Sequence, residues 1–371
     1  MNRLLIIFSF FILFFLLNSC FPFKSIFLAA PDEKDINRFP HTEIEASNDC
    51  FKFHQADSSN LQTIKINDWT SDLPVFSNLD EVFENHAVRS MLVIQNDTIK
   101  YEYYKNGVHE NTLHSSYSVA KSFTSILIGI AIDESKIESE NDLVVKYIPE
   151  LSQHKASEYL TIKHLLNHTS GIKNSLALDA KIYYGKNILK ALKSIQFESL
   201  PGVKQSYLNI NTQLLGIILE RATGKNVATY LEEKIWKPIG MCTNAKWSVD
   251  KKNEIEKTYC CLGATSLDYA KFGRLLLNNG KLKEKQIVSE AWLTKSLARD
   301  TTSGSSFNYN FSWHIGLKAY NDFMAIGLYK QHIYVNRNKN LIIVLFNDKE
   351  KKLKAERINW WNVFRQIADQ M

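Results

Sequence analysis

The stretch Ser118-Val119-Ala120-Lys121-Ser122-Phe123-Thr124-Ser125-Ile126-Leu127-Ile128-Gly129-Ile130 decides how this chain is read. Phe123, Ile126, Leu127 and Ile130 recur at helical spacing, and Ile128 and Ile132 widen the apolar face. The segment therefore predicts a long helix buried on most sides. Lys121 follows Ser118 by three residues, which on a helix brings the amine back beside the hydroxyl. A serine hydroxyl is a poor nucleophile until a base takes its proton. A lysine held in a desolvated site has a lowered pKa and can be that base. The helix start adds free backbone N–H groups and a favourable dipole for a developing oxyanion.

Ser-x-x-Lys occurs at Ser118, Ser152, Ser170 and Ser248, so context must separate the four. Ser152 and Ser248 lie in polar stretches, and Ser170 runs straight into Gly171. Only Ser118 opens a long apolar helix. Acyl transfer also needs a group that delivers a proton to the leaving group. Tyr-x-Asn supplies candidates at Tyr104, Tyr207 and Tyr334. Tyr104 and Tyr334 fall in or beside expected strands. Tyr207-Leu208-Asn209 follows Pro201-Gly202 in a loop just before an apolar helix, a good position for reacting side chains.

Working outward, 91–94 and 98–104 read as strands separated by an Asn96-Asp97 turn. Further helices are expected near 162–167, 213–222, 227–235 and 267–278, with Gly224 and Gly280 as stops. Strands return at 311–315, 332–335 and 341–346; the last is wholly apolar, as a central strand is. A closing helix carries Ile358, Trp361, Phe364 and Ile367 on one face. Strands, then a helical block, then strands and a helix imply an α+β fold: an antiparallel sheet built from both chain ends, flanked by helices, with a mostly helical region inserted at about 135–265. Residues 21–84 are polar and weakly periodic and read as an arm or linker ahead of a domain at 85–371.

The 371 residues carry 45 Lys+Arg against 39 Asp+Glu, a formal charge of +6, and are 45% hydrophobic. That mixture excludes a disordered chain. No dense basic run with interleaved aromatics supports nucleic-acid binding. Asn2 and Arg3 precede an apolar run at 4–17, too short for a membrane span and suited to the core of an export signal within residues 1–20. Leu17-Asn18-Ser19-Cys20 resembles a bacterial lipobox, which would make Cys20 a lipidated residue; an uncleaved anchor is the alternative. Either reading places the body in the cell envelope, outside the cytoplasm, attached to the membrane through a lipid or an anchor. Cys50, Cys242, Cys260 and Cys261 show no metal spacing, and adjacent cysteines rarely pair, so free buried thiols are expected.

There is no G-x-S-x-G elbow, no P-loop, no G-x-G-x-x-G and no H-E-x-x-H. His164 and His168 stand four apart but lack a third ligand, and read as structural histidines near a helix end. No cofactor, metal or protein partner is expected.

Ordered segments carry a family resemblance. Ser118-Val119-Ala120-Lys121, Leu165-Leu166-Asn167-His168-Thr169-Ser170-Gly171-Ile172, the stretch from Pro201-Gly202 through Tyr207-Leu208-Asn209 to Gly216, and Ala264-Thr265-Ser266-Leu267-Asp268 occur in the order and spacing of one family. Over about 85–365 the chain resembles the serine β-lactamase/penicillin-binding superfamily. It is most similar to class C β-lactamases and the related esterases, D-peptidases and 6-aminohexanoate-dimer hydrolases. The resemblance implies Ser118 as nucleophile, Lys121 as its base and Tyr207 as acid/base, with Asn209 bonding Lys121 or the substrate amide. The family's third motif maps onto Ala325-Ile326-Gly327-Leu328-Tyr329-Lys330-Gln331. There Gly327 fits, and the Leu328 N–H would complete an oxyanion hole with that of Ser118. Ala325 replaces the usual basic residue and removes a cationic partner for a β-lactam or D-peptide carboxylate. This form is nearer the nylon-oligomer hydrolases, although Lys330 stands where that branch has glycine. His314-Ile315-Gly316 is a second place for the motif, with His314 read instead as a strand residue beside Trp313. Tyr183 and Tyr184, in the insertion, face either substrate or packing. The implied activity is metal-independent hydrolysis of an amide or ester of a small molecule or short peptide through an acyl-serine. The alternative is a cell-wall D-peptidase or a weakly catalytic envelope binding domain.

Overall fold

The apolar run at 341–346 becomes a central strand because both of its faces are covered. Ile342, Val344 and Phe346 enter one hydrophobic cluster, and Leu341, Ile343 and Leu345 the other. Successive strand side chains point to opposite faces, so an uninterrupted apolar run is what a doubly covered strand requires. Each fully buried Leu, Ile or Val contributes about 1.5–3 kcal/mol.

The computed structural model describes residues 30–57, 66, 78–348 and 358–371. Residues 1–20, read above as an export signal ending at Cys20, lie outside the described residues. In chain order the strands are β1 (His41–Ile44), β2 (His54–Gln55), β3 (Val88–Gln95), β4 (Thr98–Tyr104), β5 (His114–Ser115), β6 (Ala245–Ser248), β7 (Leu262–Ala264), β8 (Lys281–Leu282), β9 (Lys285–Gln286), β10 (Tyr309–Asn310), β11 (Trp313–Ile315), β12 (Asp322–Gly327), β13 (Gln331–Asn336) and β14 (Leu341–Asn347). The main sheet runs β10-β11-β12-β13-β14-β3-β4-β2. It is antiparallel except for the short β2/β4 pair. The two chain ends meet where β14 pairs with β3, Ile343 opposite Val93 and Val344 opposite Leu92. This is the α+β sheet that the sequence implies.

One face of the sheet is covered by the helices Leu79–Asn85 and Trp360–Asp369. The closing helix buries Trp360, Val363, Phe364 and Ile367; Trp361 is only partly buried, and Ile358 is buried ahead of the first turn. The other face carries the helices Ala120–Asp133 and Ser266–Leu277 and the helical block between β5 and β6. Asn209–Thr223 packs against Ala120–Asp133 within that block.

The described part of residues 21–84, the segment read as an arm or linker, pairs with the body: β1 with β6, and β2 with β4. Their pairing partners lie far along the chain, so no local periodicity announces them. The four body cysteines are not free thiols. Cys50 bonds to Cys242 across a separation of 192 residues, and Cys260 bonds to its neighbour Cys261. The tight backbone there, with Cys261 at φ 70, brings adjacent sulfurs together against the general tendency.

Candidate active site

Ser118 lies in the single 3-10 turn Tyr117–Val119 that leads into the helix Ala120–Asp133. The turn is anchored from outside: Ser116 N–H donates to the Leu262 carbonyl at 2.7 Å, and Leu262 N–H donates to Ser116 Oγ at 3.1 Å. Tyr117 sits at φ 42, a left-handed conformation that costs a bulky residue about 1–3 kcal/mol and persists only where the surroundings impose it.

Lys121 is buried beneath this turn. Its Nζ lies 3.0 Å from Ser118 Oγ, 3.0 Å from Asn209 Oδ1 and 2.9 Å from the Tyr259 carbonyl. Asn209 and Tyr259 present oxygens that can only accept at these contacts. A neutral amine therefore gives them its two N–H bonds and turns its lone pair to Ser118. Burial brings the Lys121 pKa down to about 7, opposed by the negative charge of Asp179. Asn209 Nδ2 donates toward Asp179 Oδ1 at 3.4 Å, so the amide is oriented with its oxygen on the lysine. Burial raises the Asp179 carboxyl, while Asn209 and the Lys121 charge hold it down.

Tyr207 approaches from the loop ahead of the helix Asn209–Thr223. Its ring lies against His168 at 4.4 Å and meets Tyr309 edge-on at 5.9 Å, with Lys121 Nζ 4.9 Å from the ring centre. The side chain is 47% exposed, but burial of the hydroxyl pushes its pKa up to about 12; a hydrogen bond with Ser118 opposes that rise. The phenol therefore keeps its proton at neutral pH, close to Ser118 and to Lys121.

The third motif divides between β12 and a turn, Leu328–Lys330. Gly327 ends the strand beside the Ser118 turn. A Cβ there would stand 2.6 Å from the Ser116 carbonyl, so only glycine lets β12 approach this closely. Leu328 follows at the same edge, 46% exposed. Ala325 is wholly buried opposite Ile333 and offers no cation; Lys330 is exposed in a left-handed turn.

The structure therefore brings together Ser118, Lys121, Tyr207 and Asn209, with Gly327 and Leu328 alongside. Sequence reasoning missed the Tyr259 carbonyl, Asp179, His168 and Tyr309. His314 lies on β11 as expected, but its ring packs edge-on against Tyr309 at 5.0 Å, and burial lowers its pKa to about 4. Tyr183 is a packing residue: its hydroxyl donates to Asp35 at 2.9 Å, and its carbonyl accepts from Lys257. His164 and His168 do not converge. His164 Nδ1 accepts from the Thr161 N–H, and His168 Nδ1 from the Leu208 N–H. Among the described residues, no group of three or more His, Cys, Asp or Glu side chains could hold a metal ion.

Comparison with known proteins bears on the family and the fold. The Beta-lactamase family model matches residues 78–367. The 6-aminohexanoate-dimer hydrolase of Paenarthrobacter ureafaciens is 22% identical over 302 residues, 72% of this chain and 74% of that protein. A solved structure, "Putative 6-aminohexanoate-dimer hydrolase from Bacillus anthracis", superposes with a TM-score of 0.80 at 25% identity, covering 90% of this chain and 91% of that one. A class C beta-lactamase superposes with a TM-score of 0.58 at 20% identity, covering 79% of this chain and 94% of that one, a likeness of fold. Fold, motif order and a match that spans most of the length agree: the chain belongs to the Beta-lactamase family.

Proposed function

We propose that the chain is a serine hydrolase that cleaves an amide or ester of a small molecule or short peptide through an acyl-enzyme on Ser118. The observation that carries this reading is the bonding of Lys121, whose two fixed acceptors leave one position on the nitrogen facing Ser118 Oγ. Neutral Lys121 takes the hydroxyl proton as Oγ bonds to the substrate carbonyl carbon. The N–H groups of Ser118 and Leu328 receive the resulting oxyanion. Tyr207 then gives its proton to the leaving nitrogen or oxygen as that bond breaks, and the nearby ammonium stabilises the tyrosinate. In the second half, water loses a proton to Tyr207, its oxygen bonds to the acyl carbon, and Ser118 Oγ leaves with the proton from Lys121.

Ala325, paired with Ile333, supplies no cation at the position of the usual basic residue, which favours acyl groups that bring no carboxylate there. Neutral esters and amides are therefore preferred over β-lactams and D-peptides. The test is turnover of a panel of short-chain esters, short linear amides and a D-alanyl-D-alanine peptide by wild type and Ser118→Ala. Ser118-dependent hydrolysis of the first two classes supports the reading. Release of D-alanine alone would move it to a cell-wall peptidase. Export and attachment through Cys20 belong to the same proposal, since paired cysteines such as Cys50–Cys242 suit an oxidising compartment. Incorporation of labelled palmitate, lost in Cys20→Ser, is the corresponding check.

A further inference from the structure

His168 brackets Tyr207 on three sides. Its carbonyl accepts from the Ser206 N–H at 2.8 Å, and its Nδ1 accepts from the Leu208 N–H at 3.2 Å. The residues before and after Tyr207 are thus both tied to one histidine, and the imidazole lies against the tyrosine ring, 4.4 Å between centres at 34°. The Leu208 N–H can only donate, so Nδ1 is the acceptor and the ring proton sits on Nε2. Asn211 Nδ2 donates to the same Nδ1 at 3.1 Å and holds the ring in that orientation. The ring is fully buried, and burial pushes its pKa well below the ordinary histidine value, with the Lys121 charge acting in the same direction. It therefore stays neutral and keeps this tautomer. His168 itself stands at φ 57, a left-handed conformation open to His, Asn and Asp but strained for bulkier side chains.

We propose that His168 is the positioning residue for Tyr207, aiming its hydroxyl at the leaving group through the Leu208 N–H and the stacked ring. Leu208 immediately precedes Asn209, so the same bond also helps fix the amide that orients Lys121. The proposal rests on Tyr207 being the acid of the reaction, and its test separates the two.

The test uses two esters with the same acyl group, p-nitrophenyl butyrate and ethyl butyrate. Nitrophenolate leaves without help, whereas ethoxide needs a proton, so the ratio of their kcat/KM values reads how well the acid is aimed. That ratio is unaffected by the fraction of protein that is folded. His168→Phe keeps a ring but leaves the Leu208 N–H without its acceptor. His168→Asn offers Oδ1 near the position of Nδ1 and tolerates the left-handed backbone. Full-length protein is used throughout, with Ser118→Ala and Tyr207→Phe as controls. The expected result is a ratio shifted at least about tenfold toward the nitrophenyl ester in His168→Phe and largely restored in His168→Asn. An unshifted ratio in His168→Phe, with both rates falling together, overturns the proposal. So does a ratio in His168→Asn as displaced as in His168→Phe. Turnover that survives in Ser118→Ala, or a Tyr207→Phe ratio equal to wild type, instead overturns the underlying catalytic assignment.

Discussion

Asn209 Oδ1 lies 3.0 Å from Lys121 Nζ, and this contact decides which position on the amine is left for Ser118. With the Tyr259 carbonyl taking a second N–H, the lysine can be both buried and hydrogen-bonded without a carboxylate in direct contact. A paired carboxylate would keep it charged and useless as a base. Lys121→Met, similar in length but without a nitrogen, should therefore lower the acylation rate by about 10²–10⁴-fold with little change in melting temperature. Single-turnover kinetics with an activated ester measures this.

The pH profile follows from the same burial. Lys121, at about 7, must lose its proton to act, so kcat/KM should rise as pH climbs through about 7 and then level. Tyr207, near 12, must keep its proton, so no falling limb is expected below the alkaline limit of protein stability. The Asp179 charge raises the Lys121 pKa, so Asp179→Asn should move the rising limb to lower pH. A pH–rate profile of both proteins checks the sign; a limb that moves upward would be wrong for this site.

Gly327→Ala should damage catalysis without unfolding the sheet. The added methyl would meet the Ser116 carbonyl at 2.6 Å and push the end of β12 from the turn that carries Ser118, taking the Leu328 N–H with it. Loss of one oxyanion donor costs about 10²–10³-fold in kcat. Steady-state kinetics together with far-UV circular dichroism separates this from general misfolding.

The Cys50–Cys242 bond ties the N-terminal segment to the body across 192 residues. Closing so long a loop restricts the unfolded chain, an effect of about 2–5 kcal/mol. The double variant Cys50→Ser/Cys242→Ser should melt several degrees lower than the oxidised protein, as read by thermal denaturation, while keeping its activity at room temperature.

Much of this was legible in the residues. The 341–346 run and the helix behind Ser118 follow from apolar spacing alone, and Ser118, Lys121, Tyr207 and Asn209 follow from paired short motifs. What stayed hidden has physical reasons. The second fixed acceptor of Lys121 is the carbonyl of Tyr259, a backbone atom that every residue type supplies. β12 was not foreseen as a strand because it opens on Asp322, a polar residue whose buried carboxylate is satisfied by Arg365 of the closing helix at 2.8 Å, the Tyr334 hydroxyl and the Leu317 N–H. His168 read as a structural histidine because its partners, Ser206 and Leu208, arrive from a loop about forty residues later. β1, β2 and the two disulfides depend on contacts between distant segments and on local backbone geometry, neither of which composition or periodicity encodes.

The central claim is that Ser118 becomes acylated and then released. Intact mass spectrometry of the full-length protein after exposure to p-nitrophenyl butyrate, beside Ser118→Ala, tests it most directly. The account predicts one butyryl adduct on wild type that clears with time and never forms on the variant. An adduct that forms equally on Ser118→Ala, or none on either protein, would contradict it.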